Sequence, residues 1–139
     1  MGTAKESPDR ARILIVEDEA LLSWSLTHFL RERGYSVTTV DAGDTALAEL
    51  ASAAFDLVIT DLKLPHLDGL SLISQIKRRS PDLPIILISA LPDEAMVARL
   101  GESQADRFVE KPFNLSEMLE LVELLLKKGA HRWFRPAAL

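Results

Sequence analysis

Three short apolar runs constrain this chain more than any other feature: Ile13-Leu14-Ile15-Val16, Leu57-Val58-Ile59-Thr60 and Ile85-Ile86-Leu87-Ile88. Each is too short for a helix and rich in β-branched residues. Each is also almost wholly apolar, the pattern of a strand covered on both faces. All three stop abruptly on polar residues, at Glu17-Asp18-Glu19, at Asp61 and at Ser89. Tyr35-Ser36-Val37-Thr38-Thr39-Val40 alternates as a further strand, and Arg107-Phe108-Val109-Glu110 reads as a short last one. Between them apolar residues recur at helical spacing: Leu22, Leu26, Phe29 and Leu30, then Ala46, Leu47 and Leu50, then Leu72, Ile73 and Ile76. Met96, Val97 and Leu100 mark a fourth helix, and Leu115, Met118, Leu119, Val122, Leu125 and Leu126 a fifth. Strands alternating with helices predict one α/β domain, a doubly wound five-stranded parallel sheet with five helices and right-handed crossovers.

Breakers and caps set the expected boundaries. Gly34 should stop the first helix, and Asp41-Ala42-Gly43-Asp44 should supply a turn and an N-cap for the second. Pro65 and Asp68-Gly69 break the backbone after Asp61, while Pro92 suits the first turn of the fourth helix. Asn114 should cap the last helix and Gly129 should end it. The expected domain therefore covers residues 12–128. A polar lead, 1–11, precedes it, and a basic-aromatic tail or linker stub, 129–139, follows.

Composition excludes several classes. At 139 residues the chain is long enough for one core, and its apolar fraction of 47% is ordinary. The absence of cysteine removes disulfides, thiolate catalysis and cysteine–zinc chemistry. No run nears the roughly 20 apolar residues of a membrane span, and the lead has no apolar signal segment. A cytoplasmic location with no membrane partner is the expectation. A net charge of -5 argues against direct nucleic-acid binding, which needs clustered cations.

In a doubly wound sheet the ligand crevice lies at the carboxyl ends of the strands. The chemistry delivered there is Glu17 and Asp18, Asp61, Ser89 and Lys111. Three carboxylates at close quarters repel unless a cation joins them, and an all-oxygen donor set points to Mg2+. Lys111 adds a compact positive charge and Ser89 a hydroxyl donor, so the group reads as a phosphoryl-transfer site with Asp61 as nucleophile. Singly, each residue has a bland reading. An Asp after a strand is commonly a turn residue, Glu17-Asp18 could cap the next helix, Lys before Pro is usually solvated, and Phe108 alone reads as core. Their joint arrival at four strand ends outweighs those readings.

Val16-Glu17-Asp18-Glu19, Thr60-Asp61 with Pro65 and Asp68-Gly69, Ile88-Ser89-Ala90, and Phe108-Val109-Glu110-Lys111-Pro112-Phe113 together resemble the receiver domains of two-component response regulators. The resemblance runs from about Arg12 to Lys128 and implies the flavodoxin-like strand order 2-1-3-4-5. It implies that Asp61 accepts a phosphoryl group from a sensor histidine kinase or phosphotransfer protein. It further implies that Asp18, Glu17, Asp61 and the backbone carbonyl of Lys63 hold Mg2+. Ser89 and Phe108 take the switch positions, Lys111 assists at the phosphoryl group, and Ala90 leaves room for it. A homodimer through the helix 4, strand 5 and helix 5 face is also implied.

The sequence departs from the receiver pattern at helix four, where Gln104-Ala105 replaces the usual Gly-Ala pair at a position that favours positive φ. Gly101 further weakens the helix. It is expected to end near Leu100 or Gly101, with 102–106 irregular. Lys63 and Leu91 flank the route of a hydrolytic water without an obvious water-orienting group, so a long-lived phosphoryl-Asp61 is expected. Trp24 falls off the apolar stripe of helix one and suits a kinase-docking anchor. Leu121 and Leu124 widen the apolar side of helix five. His66 has no second soft ligand and reads as solvated. A haloacid-dehalogenase-like phosphatase is the alternative, but it wants a D-x-D nucleophile on strand one. A nucleotide-binding flavodoxin-like module would want a phosphate-cradling loop where this chain has three acids.

Overall fold

The computed structural model describes residues 10–90 and 94–137, with the side chains of Ala95, Met96, Leu100 and residues 128–137 outside that description. Expectations for the lead before Arg10, for Leu91 and Pro92, and for the packing of Met96 and Leu100 therefore lie outside the described residues. Five parallel strands, β1 (Arg12–Val16), β2 (Ser36–Val40), β3 (Leu57–Asp61), β4 (Ile85–Ser89) and β5 (Arg107–Glu110), form one sheet in the order β2-β1-β3-β4-β5. Helices α1 (Ala20–Glu32), α2 (Gly43–Ser52), α3 (Gly69–Arg79), α4 (Glu94–Glu102) and α5 (Leu115–Ala137) connect and follow them. The expected doubly wound architecture is what the chain adopts.

The continuous apolar runs are buried on both sides because each strand feeds two cores. Ile13, Ile15, Leu57, Ile59, Ile86 and Ile88 face α1 and α5, where Leu26, Leu30, Met118 and Val122 close over them. Leu14, Val16, Val58, Ile85 and Leu87 face the opposite way, onto Ala46, Leu72, Ile73 and Ile76. Alternation of side chains across a strand makes one run serve both layers. β3 is buried at all five positions, Asp61 included, and that places a carboxylate at the end of the central strand.

Local signals hold at several boundaries. Gly34 adopts φ +97, and its N–H bonds Arg31 O while Tyr35 N–H bonds Leu30 O, a left-handed helix stop. Asn114 caps α5 through a 2.7 Å bond from Glu117 N–H, and Asp68 caps α3 through Ser71 N–H at 2.8 Å. α4 ends at Glu102, one residue past the expected limit, and no strand or helix covers residues 103–106. Three expectations need correction. The N-cap of α2 is Ala42, with no side-chain cap, because Asp44 Oδ1 instead accepts from its neighbour Thr45 N–H. Gln104 does not take positive φ, since among the described residues His66, at φ 71, is the one non-glycine that does. Gly129 does not end α5, which continues to Ala137; a lone glycine costs a helix only about 1 kcal/mol and needs a left-handed turn to stop it.

Polar groups staple the far end of the sheet. Lys77 Nζ, buried, reaches Asp106 Oδ2 at 2.9 Å and Leu83 O at 2.7 Å. Asp106 Oδ2 also accepts from Ile85 N–H at 2.8 Å. The start of β4 and the loop before β5 are thereby tied to the end of α3.

Candidate metal and phosphoacceptor site

β1 and β3 pair in register from Ile13↔Leu57 to Val16↔Thr60, so Glu17 and Asp61 emerge side by side just past the last rung. β4 brings Ser89 beside them, and Lys111 follows β5 with its N–H bonded to Ser89 O at 2.7 Å. Glu17, Asp61 and Ser89 are buried, while Asp18 and Lys63 are exposed. The sheet therefore gathers Glu17, Asp18, Asp61, Ser89 and Lys111 at one edge. Phe108 lies one strand over on β5 and is 38% exposed, so it is surface rather than core.

Lys111 Nζ donates to Asp61 Oδ2 at 2.8 Å and lies 3.7 Å from Glu17 Oε1 and 3.9 Å from Glu19 Oε1. Lys63 N–H approaches Asp61 Oδ1 at 3.4 Å. One cation thus faces three carboxylates. Burial works to lower the Lys111 pKa, but the bond to Asp61 and the charges of Asp61, Glu17 and Glu19 outweigh it and raise the value. Burial, reinforced by the charge of Asp61, lifts Glu17 from 4.5 to about 7, although the Glu19 N–H and Lys111 pull the other way. Glu17 Oε2 accepts that N–H at 3.0 Å, whereas Oε1 accepts no hydrogen bond despite its burial. Neither Glu17 nor Asp18 caps α1, whose N-cap is Glu19 with no side-chain bond, so the capping reading of the acidic run is not met.

A carboxylate oxygen from each of Glu17, Asp18 and Asp61 lies within 4.8 Å of the others. That spacing fits oxygens around a small hard cation with bonds of about 2.1 Å, and the all-oxygen donor set suits Mg2+ rather than a soft metal. Glu17 Oε1, buried with no hydrogen bond and only the Lys111 ammonium at 3.7 Å, is an independent sign that the cluster is built for a cation, because a buried carboxylate oxygen left without a hydrogen bond is costly. The residues present fit the ion.

The raised Glu17 pKa has a consequence for the metal-free protein. Between pH 4.5 and about 7 the native state binds a proton that the unfolded chain has released, so stability falls as pH rises through that window. With chelator present, the denaturation midpoint is expected to drop between pH 5 and 8, and Glu17→Gln to flatten the drop. An unchanged pH profile in the variant would contradict this account.

Beside the acids a cleft of about 460 Å³ opens between Asp18, the loop after β3 and α4, with Lys63, Asp68 and Arg99 among its walls. Sequence reasoning did not bring Arg99 or Glu19 to the site. Glu19 was legible in the acidic run. Arg99 was not, because its contact across the cleft follows from the tertiary placement of α4.

The chain matches the response regulator receiver domain family over residues 13–123. It is 35% identical to the DNA-binding transcriptional regulator NtrC of Salmonella typhimurium over 114 residues, covering 82% of this chain and 24% of that protein. It is 36% identical to the sensory transduction protein RegX3 of Mycolicibacterium smegmatis, covering 85% of this chain and 51% of that one. The chain thus spans about half or less of the length of these curated relatives. Among solved structures, the response regulator TrrA of Thermotoga maritima, in complex with Mg2+-BeF, is 36% identical with a TM-score of 0.75, over 83% of this chain and 98% of that one. Strand order, the acidic cluster at the sheet edge and these matches agree: the chain belongs to the response regulator receiver domains of two-component systems.

Proposed function

We propose that Asp61 is the phosphoacceptor of this receiver, taking a phosphoryl group from the phosphohistidine of a sensor histidine kinase or phosphotransfer protein. The observation that carries the reading is Lys111 Nζ at 2.8 Å from Asp61 Oδ2, within a carboxylate cluster fitted to a divalent cation. A carboxylate oxygen of Asp61 attacks phosphorus while the phosphorus–nitrogen bond breaks, and the electron pair leaves on the imidazole. When bound, Mg2+, held by Glu17, Asp18, Asp61 and the Lys63 carbonyl, supplies positive charge beside the phosphoryl oxygens. Lys111 neutralises charge on the other side. The Ser89 hydroxyl, buried at the end of β4, moves to donate to a phosphoryl oxygen, and Phe108 on β5 turns inward behind it. Phosphorylation adds nearly two negative charges, and the displaced α4–β5–α5 face is the output surface, including a homodimer contact. The chain acts as a signalling module that catalyses its own phosphorylation and dephosphorylation, not as a multiple-turnover enzyme.

Leu21 and Trp24, 72% and 63% exposed on α1, suit docking of the kinase. Trp24 stacks on His28 with ring centroids 5.1 Å apart, and His28 pairs with Glu32, so the indole is held outward. Leu124, exposed on α5, fits a partner face, whereas Leu121 packs against the core. His66 is exposed, in keeping with its expected solvation. Among the described residues no helix is long and apolar enough to cross a membrane.

Incubation with phosphoramidate and Mg2+, followed by intact mass measurement, tests the reading. One phosphoryl group per chain is expected, and no mass increase would defeat it. The exposed Lys63 carries no proton-accepting atom, so the phosphoryl group should persist for minutes or longer. Decay within seconds in Mg2+ would contradict that expectation.

A further inference from the structure

We propose that Arg99 is a positioning residue that clasps α4 to the phosphoacceptor loop and opposes phosphorylation. The proposal rests on the phosphoacceptor reading above. Arg99 Nη2 lies 3.7 Å from Asp68 Oδ2 across the cleft beside the site, and among the described residues this is the one ion pair between α4 and the rest of the fold. Asp68 is itself fixed. Its other oxygen caps α3 through Ser71 N–H, and the next residue, Gly69, donates to Leu62 O at 2.7 Å. A Cβ on Gly69 would overlap the Asp61 carbonyl, so the loop is locked against the phosphoacceptor strand. The described part of α4 is more open: Val97 is 54% exposed, a Cβ on Gly101 would meet nothing within 4 Å, and irregular chain follows Glu102.

The clasp therefore joins a loop fixed against β3 to a helix whose described side chains are exposed. Ser89, drawn toward a phosphoryl group on Asp61, lies five residues before Glu94, the first residue of α4. A shift of α4 by about 1 Å takes a 3.7 Å contact out of ion-pair range. With Lys111 Nζ bonded directly to Asp61 Oδ2, the arrangement that holds this contact is assigned to the unphosphorylated state, and linkage then requires that removing the contact favour the phosphorylated one. Both side chains are about half exposed, so solvent screening keeps the effect modest.

The test is the affinity of the whole chain for beryllofluoride with Mg2+, titrated by amide NMR, in Arg99→Gln, Asp68→Asn and the double variant. Asn keeps the cap on α3 and loses only the charge. Each single variant is expected to bind about two- to fivefold more tightly, with no further gain in the double variant and Arg99→Lys close to wild type. Unchanged or weaker binding in Arg99→Gln, or additive effects in the double variant, would overturn the clasp while leaving the phosphoacceptor reading intact. Failure of the wild-type chain to bind would overturn both.

Discussion

Asp61→Asn is expected to take up no phosphoryl group from phosphoramidate, while folding as the parent does. The amide is isosteric with the carboxylate and can still accept from Lys111, so the core under β3 is undisturbed. What is lost is the anionic nucleophile and one of three oxygens arranged for the cation. The substitution removes a charge that burdens buried Glu17 and also the charge that pairs with Lys111, so the two effects oppose and the metal-free variant should stay close to the parent in stability. Loss of phosphorylation with retained stability separates a functional acid from a structural one. Thermal denaturation alongside mass measurement reads both.

Gly69→Ala is the substitution with the largest expected structural cost. Alanine favours a helix over glycine by up to about 1 kcal/mol, which taken alone predicts stabilisation. The added Cβ, however, would overlap the Asp61 carbonyl oxygen and lie 2.8 Å from Leu62 Cα. Both are backbone atoms of the buried β3 end and cannot rotate away. Overpacking of this kind costs about 3 kcal/mol, so a net destabilisation of about 2 kcal/mol is expected in urea denaturation. Phosphorylation should slow as well, because relief of the overlap displaces Asp61. A stability equal to the parent would show that α3 can tilt away at little cost.

The sheet was legible because each buried strand serves two cores and so shows an uninterrupted apolar run. The strands also end at Glu17, Asp61 and Ser89, and that made the gathering of the candidate site at one edge legible from the same pattern. Gly34 and Asn114 were readable since their conformations depend on adjacent residues alone. Ala42 as the N-cap of α2 was not, because the fold sets the chain direction there and no side chain makes the bond. Gly129 misled as a stop because its effect depends on the backbone angle it adopts rather than on its presence. Arg99 escaped notice for a different reason. Its partner Asp68 lies 31 positions earlier, and no local pattern records a contact between α4 and a loop.

The surfaces divide the labour of a receiver. Acidic groups and Lys111 occupy the carboxyl edge, Lys77 and Asp106 fasten the opposite one, and exposed apolar side chains among the described residues are split between α1 and the α4–β5–α5 side. Under the proposed function, separate docking and output faces would let a phosphoryl group be received on one side of the molecule and reported on another.

Chemical trapping locates the phosphoryl group most directly. The phosphorylated chain is reduced with borohydride, which converts an acyl phosphate on aspartate to homoserine, and its peptides are sequenced by mass spectrometry. Conversion at residue 61, dependent on Mg2+, is the expected result. Conversion at another carboxylate, or a phosphoryl group retained on Ser89 or His66, would contradict the account.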